Sequence, residues 1–260
     1  MRIDERVRQS LATTTRFGDL RFLEEVDSTN RYVHDAAVAG APEGLVVTAE
    51  HQFAGRGRVG RSWEAPAGSS LLVSILLRPG DLDPARLHLV TSAVGCAAVA
   101  GLRRVAGVEV DLKWPNDLLV GDRKLAGMLA EAIGVSMAGT VDAVVVGLGL
   151  NVTAAPAGAV GLDEVAGRPV DRAEVLVALL EEVERRYGRW DEVTAEYRAT
   201  CATVGRRVRV ERPGGTFATG MAVRVDDDGR LVVAAEGTGR EEAFSVGDVV
   251  HVRSAGEHPG

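Results

Sequence analysis

Hydrophobic positions change period twice along the chain, and the changes divide it. Residues 20–26 and 45–52 carry short apolar runs that predict strands, and 69–77 predicts a buried strand ended by Pro79-Gly80. Between the first two, Asp27 or Ser28 stands where a helix cap is wanted. Val33, Ala36 and Ala37 then fall on one face of a helix running to about residue 39. Residues 84–106 predict a long apolar helix with Pro84 in its first turn. Short strands follow over 108–113 and 117–120, broken by Trp114-Pro115-Asn116, and Gly121-Asp122-Arg123 reads as a hairpin turn. Strands over 124–133 and 141–150 complete a sheet. After an Ala/Pro/Gly-rich loop over 153–161, Asp171 caps a helix to Tyr187 with Leu176, Leu179, Leu180 and Val183 along one stripe. A second helix covers 191–201. Beyond Gly205 the period becomes two, and strands at Val208 and Val210, 222–225, 231–233 and 249–252 predict a small β-barrel. Residues 1–19 are polar, with room for a helical turn or two. The expected fold is α+β, a mixed sheet flanked by helices (1–203) with a small C-terminal barrel (204–260).

The strand at 45–52 delivers Gly55-Arg56-Gly57-Arg58-Val59-Gly60-Arg61, in which arginines alternate with glycines and no acidic residue intervenes. Glycine lets backbone approach a ligand closely, and arginine offers a fixed fork of donors to carboxylate or phosphate. The loop is built to close on an anion. Its Gly55-x-Gly57-x-x-Gly60 spacing also matches the dinucleotide fingerprint, which requires a helix starting inside it. Ser62-Trp63-Glu64-Ala65-Pro66 follows instead, and that segment predicts no helix.

Further motifs accompany the loop in order: Asp27-Ser28-Thr29-Asn30, Gln52, Lys113-Trp114-Pro115-Asn116-Asp117, Lys124-Leu125-Ala126-Gly127, and Gly147-Leu148-Gly149-Leu150-Asn151. Together, from about Phe22 towards the C-terminus, they resemble the biotin protein ligases. The resemblance implies a fold like that of class II aminoacyl-tRNA synthetases and biotin–lipoate ligases, with an SH3-like C-terminal domain. It implies formation of biotinyl-5′-AMP from biotin and ATP, with Mg2+. Transfer of biotin to a lysine of a biotin carboxyl carrier domain, expected in an acyl-CoA carboxylase, would follow. Some relatives carry an N-terminal DNA-binding domain, and the stretch before Phe22 is too short for one, so DNA is not an expected partner. A homodimer through the sheet is possible in such a family. A lipoate ligase, a DNA-binding repressor and an inactive binding module are the competing readings.

Carried over residue by residue, the resemblance implies that Lys124 contacts both the biotin carboxylate and the bridging phosphate. Arg56 and Arg58, with Gly57 between them, clamp these anions, and Arg61 either joins them or steers charge at the surface. Ser28, Thr29, Asn30 and Gln52 suit the ureido ring, although Ser28 and Thr29 also suit a helix cap. Trp63 either anchors the loop or stacks on adenine. Asn116 and Lys113 are expected at the nucleotide phosphates or their magnesium, though an Asn-Asp pair after proline is also what a turn requires. Asp117 is a base or orienter for the carrier lysine. Gly127 permits close approach to the ligand or serves packing. Gly147, Gly149 and Asn151 are expected beside adenine or ribose, and Arg253 is expected to reach ATP from the barrel. His51 and Phe53 depart from the residues common in the family, which bears on stacking near biotin.

Composition narrows the alternatives. The 260 residues are 46% hydrophobic, enough for one large domain and a small one. A net charge of −7 opposes general nucleic-acid affinity. Cys96 and Cys201 stand far apart in alanine-rich helical contexts, as expected of thiols in a reducing cytoplasm. The five histidines show no metal-ligand spacing. The pattern also predicts no apolar run long enough to span a membrane.

Overall fold

The computed structural model describes residues 3–11, 16–80, 82–135, 141–212, 215–245 and 248–251. Seven strands form the larger sheet: β1 (Leu20–Val26), β2 (Val46–Gln52), β3 (Ser70–Leu77), β4 (Asp111–Lys113), β5 (Asp117–Val120), β6 (Arg123–Val135) and β7 (Val141–Asn151). Their order is β1-β2-β3-β7-β6-β5-β4. Only β1 and β2 pair in parallel, joined by helix α2 (Thr29–Val38), and every other neighbour is antiparallel.

Side chains alternate across a strand, and the two faces of this sheet are unlike. Leu71, Val73, Ile75 and Leu77 of β3 and Val144, Val146, Leu148 and Leu150 of β7 belong to the main core. Helices α1 (Ile3–Leu11), α3 (His88–Ala106), α5 (Arg172–Arg186) and α6 (Trp190–Thr200) contribute to the same core. The opposite face carries α2, whose Val33 and Ala37 pack with Leu45, Val47, Leu76, Ala143 and Val145. Further along this face the residues in register are Ser74, Gly147, Gly149 and Gly127. Apolar side chains give way to glycine and serine there, and the sheet is left with a depression.

Helix α3 corrects two expectations. The predicted helix over 84–106 is interrupted: Pro84–Arg86 form a 3₁₀ turn, with the Asp83 carboxylate accepting the Ala85 N–H at 2.9 Å, before the α-helix begins at His88. The segment Pro84–Ala106 is also long and apolar enough to cross a membrane, at a mean hydropathy of 1.4. It is 61% buried, packed between the sheet and α5 and α6. Its hydrophobicity serves the core.

The C-terminal strands β8 (Arg207–Glu211), β9 (Phe217–Val225), β10 (Leu231–Ala235), β11 (Glu241–Phe244) and β12 (Asp248–His251) form an antiparallel sheet in the order β11-β10-β9-β8-β12. Strand β11 was not expected, because Glu-Glu-Ala-Phe buries only Phe244. The short helix α4 (Leu162–Ala166) was also unforeseen, and the strand predicted over 108–113 contracts to β4. The small sheet docks through its Asp226–Arg230 turn. Trp114 Nε1 donates to the Gly229 carbonyl at 2.9 Å, and a Cβ on Gly229 (φ +70°) would collide with the His88 ring. Arg206 pairs with Asp122 at 2.9 Å and Arg198 with Asp227 at 2.7 Å.

Candidate active site

The depression is roofed by the arginine–glycine loop. Arg58–Gly60 make one 3₁₀ turn, and the loop closes on itself through Gly57 N to Arg61 O (2.7 Å) and Trp63 N to Gly55 O (2.9 Å). No helix starts inside it, so the dinucleotide reading is excluded. Gly55 is required there, since a Cβ would stand 2.4 Å from the Trp63 carbonyl oxygen. Trp63 folds back over the sheet, and a Cβ on Gly149 would meet its indole at 2.5 Å. The indole therefore occupies the room above Gly149. Its Nε1 is buried with no hydrogen-bond partner, a donor that a bound ligand could use.

The resulting cavity brings together Ser28, Thr29, Asn30, Gln52, Arg56, Gly57, Arg58, Arg61, Trp63, Asn116, Asp117, Lys124, Gly127 and Gly149. Lys113 and Asn151 do not line it. Asn151 is buried and donates from Nδ2 to the Val160 carbonyl at 3.3 Å. Arg253 lies outside the described residues. His51 pairs with Glu25 at 3.0 Å and is also absent from the lining.

At one end, Lys124 Nζ lies 2.7 Å from Asp117 Oδ1 and 5.7 Å from the Trp63 ring centroid. Strands β5 and β6 place the pair: Asp117 stands opposite Gly127, and a Cβ on Gly127 would press on Lys124 Nζ at 2.9 Å. Asn116 follows the cis Trp114–Pro115 peptide. Its Oδ1 accepts from Arg58 Nη1 at 3.1 Å, and its Nδ2 donates to the Met128 carbonyl at 2.5 Å. Asn116 thus moors the loop arginine to β6. Arg58, Arg61 and Lys124 against the Asp117 carboxylate make this end cationic, while Arg56 reaches towards Glu131.

The other end is neutral and hydrogen-bonded. Ser28 holds the N-cap position of α2 without making a side-chain cap bond. Gln52 performs that service from β2, its Oε1 accepting the Thr29 N–H at 2.7 Å. Asn30 is buried flat against Gly147, where a Cβ would lie 2.1 Å from its Oδ1. Asn30 Nδ2 donates to Leu129 O at 3.1 Å and Glu131 Oε2 at 2.9 Å, and Glu131 also pairs with Arg56 at 3.3 Å. Glu131 and Ser74 escaped the sequence reading. The signal was available: counting by two from Gly127 places Glu131 on the cavity face, and Ser74 is a lone hydroxyl within the apolar run Leu71–Leu77.

Residues 22–151 match the model of the biotin/lipoate A/B protein ligase family, and 203–252 match that of the biotin protein ligase C-terminal domain. The chain belongs to this family. Among curated members, it is 40% identical over 246 residues to the biotin–[acetyl-CoA-carboxylase] ligase of Mycobacterium tuberculosis, covering 90% of this chain and 89% of that one. It is 31% identical to the bifunctional ligase/repressor BirA of Bacillus subtilis, covering 88% and 74% respectively. The solved biotin protein ligase of Aquifex aeolicus in complex with biotin and ATP superposes with a TM-score of 0.75 at 26% identity, covering 92% of this chain and all of that one. This ligase's mixed sheet and small antiparallel sheet are those of the biotin protein ligase fold.

Proposed function

We propose that the chain is an ATP-dependent biotin–protein ligase acting on a biotin carboxyl carrier domain. In the first half-reaction a biotin carboxylate oxygen attacks the α-phosphorus of ATP, the bond to the β-phosphate oxygen breaks, and pyrophosphate leaves. In the second, a neutral carrier-lysine amine attacks the acyl carbon of the adenylate. AMP leaves, an amide forms, and the amine's proton is lost.

The observation that carries this reading is the cavity's division into a neutral hydrogen-bonding end and a cationic end. A cyclic urea suits Thr29, Asn30 and Gln52, and a carboxylate brought to a phosphate suits Lys124, Arg56 and Arg58. Two anions repel unless charge is placed between them, so positioning and electrostatic stabilisation account for most of the catalysis. Lys124 sits where a compact ammonium can touch both. Asp117 orients it and is the carboxylate available to the incoming carrier lysine. Trp63 and Arg61, which also line the cavity, are assigned to the nucleotide.

Among the described residues no group of three or more His, Cys, Asp or Glu could hold a metal. Magnesium is expected as a companion of the ATP phosphates. The test is incubation with biotin and magnesium–ATP, followed by mass spectrometry for biotinyl-5′-AMP. Lipoate is run in parallel, and adenylation of lipoate in place of biotin would overturn the assignment.

A further inference from the structure

We propose that Asp117 guards the ligase against its own intermediate: it holds Lys124 as an ammonium, so that the acyl-adenylate is taken by the carrier lysine and not by Lys124. This rests on the biotin-ligase reading above. An acyl-adenylate acylates an amine held against it, and Lys124 is placed to touch both groups that become the adenylate. The amine nearest the intermediate is then the enzyme's own, with the advantage that proximity gives.

The sequence keeps such amines scarce. Of 30 lysines and arginines, only Lys113 and Lys124 are lysine. A guanidinium stays charged and offers no amine to acylate. Arg56, Arg58 and Arg61 therefore line the cavity without competing for the intermediate. Both lysines stand beside Asp117. Lys113 is its partner in the β4–β5 register but does not line the cavity. Lys124 does line it.

Lys124 reaches Asp117 because β6 carries an extra residue. Asp117 pairs with Gly127, Leu118 with Ala126 and Leu119 with Lys124, which leaves Leu125 without a partner opposite it. A bulge of this kind reverses the alternation of side chains along a strand. Leu125 and Ala126 both enter the core, and Lys124 returns to the face of Gly127. There it crosses the Gly127 backbone, where a Cβ would stand 2.9 Å from Lys124 Nζ and 3.4 Å from Asp117 Oδ1. The ion pair closes over that glycine at 2.7 Å.

An amine attacks an acyl carbon with its lone pair, and an ammonium has none. To become a nucleophile, Lys124 must give up a proton and with it the ion pair. With asparagine at position 117 that hold is gone. The neutral Lys124 amine then attacks the acyl carbon of the adenylate and a C–N bond forms. The bond from the acyl carbon to the phosphate oxygen breaks, AMP leaves with the electron pair, and the nitrogen's surplus proton passes to solvent. The enzyme is left with biotin in amide linkage to Lys124, its central cation neutralised.

The test is incubation of the full chain with synthetic biotinyl-5′-AMP and no carrier, which bypasses any slowing of the first half-reaction. Intact mass and peptide mapping follow acylation in wild type, Asp117→Asn and the double variant Asp117→Asn/Lys124→Arg. Calorimetry measures adenylate binding and circular dichroism checks folding. Lys124 should be acylated at least about tenfold faster in Asp117→Asn than in wild type, on the scale of one charge-assisted contact. The double variant should carry no adduct at position 124. Should Asp117→Asn fail to fold, Asp117→Ser carries the same expectation. An adenylate-bound variant whose Lys124 stays unmodified, or a wild type acylated there equally fast, would overturn the proposal. So would a folded variant that no longer binds the adenylate, since Asp117 would then hold the intermediate rather than guard the amine. A wild type that neither binds biotinyl-5′-AMP nor makes it from biotin and magnesium–ATP would instead overturn the ligase reading.

Discussion

Lys124 Nζ stands 2.7 Å from Asp117 Oδ1, over the backbone of Gly127, at the cationic end of the cavity. The pair holds the partly exposed ammonium at the cavity, near the Trp63 ring of the arginine–glycine loop. Lys124→Ala should lower adenylate formation by about 10²–10³-fold, the scale of one lost electrostatic contact in a preorganised site. Single-turnover pyrophosphate release measures it, with folding followed by circular dichroism. Lys124→Arg should also fail, because a planar guanidinium does not fit a point between two anions.

Asp117→Asn keeps the shape and removes the charge. Sequence reasoning ties Asp117 to the carrier lysine alone, but its ion pair with Lys124 ties it to the first half-reaction too. Both half-reactions should slow, transfer to the carrier more than adenylate formation, since the arriving ammonium must still lose its proton. Rapid-quench measurement of each half-reaction separates them. A loss confined to transfer would show that Lys124 needs no orienting partner.

Arg58→Gly should let the intermediate escape. Arg58 is moored by Asn116 at 3.1 Å and contributes to the roof. Losing one charge-assisted contact of roughly 1.5–3 kcal/mol should raise the adenylate off-rate about tenfold or more. Biotin incorporation into serum albumin, compared with wild type, reports the leak.

Gly149→Ala should displace Trp63, because the new Cβ would lie 2.5 Å from the indole. The expected outcome is a red-shifted tryptophan emission together with a raised KM for ATP. Unchanged emission would contradict the contact.

The His251 imidazole is pushed down to about 4, first by burial and then by Lys113 and Arg206 nearby. A depressed histidine contributes stability while neutral. That contribution is complete above the unfolded value of 6.5 and is lost as pH falls from there towards about 4. The Tm of wild type should fall across this window. His251→Gln, which cannot charge, should show a shallower fall.

Much of this was legible in the sequence because it is local. A strand such as β3 announces itself by its apolar run, and the Arg56–Arg58 loop by its composition. The cap at Asp171 was readable and is made, its side chain accepting the Ala173 N–H at 2.8 Å. What could not be read depends on contacts across the chain. Asp27 or Ser28 was expected to cap α2; Ser28 takes the N-cap position, but Gln52, on the neighbouring strand, supplies the side-chain acceptor. Gly147 and Gly149 were expected to face nucleotide. In this structure Asn30 and Trp63 fill their space, a relation set by register between distant strands. Polar β11 has no hydrophobic period to betray it.

The central claim is that one cavity unites the biotin carboxylate with the α-phosphate around Lys124. Transfer of oxygen-18 from biotin to AMP measures this directly. Biotin labelled with 18O in its carboxylate is turned over with ATP and a carrier domain, and the AMP product is weighed. The account predicts one labelled oxygen in AMP from wild type, and the same labelled AMP formed about 10²–10³-fold more slowly by Lys124→Ala. Biotinylated carrier accompanied by unlabelled AMP would contradict it.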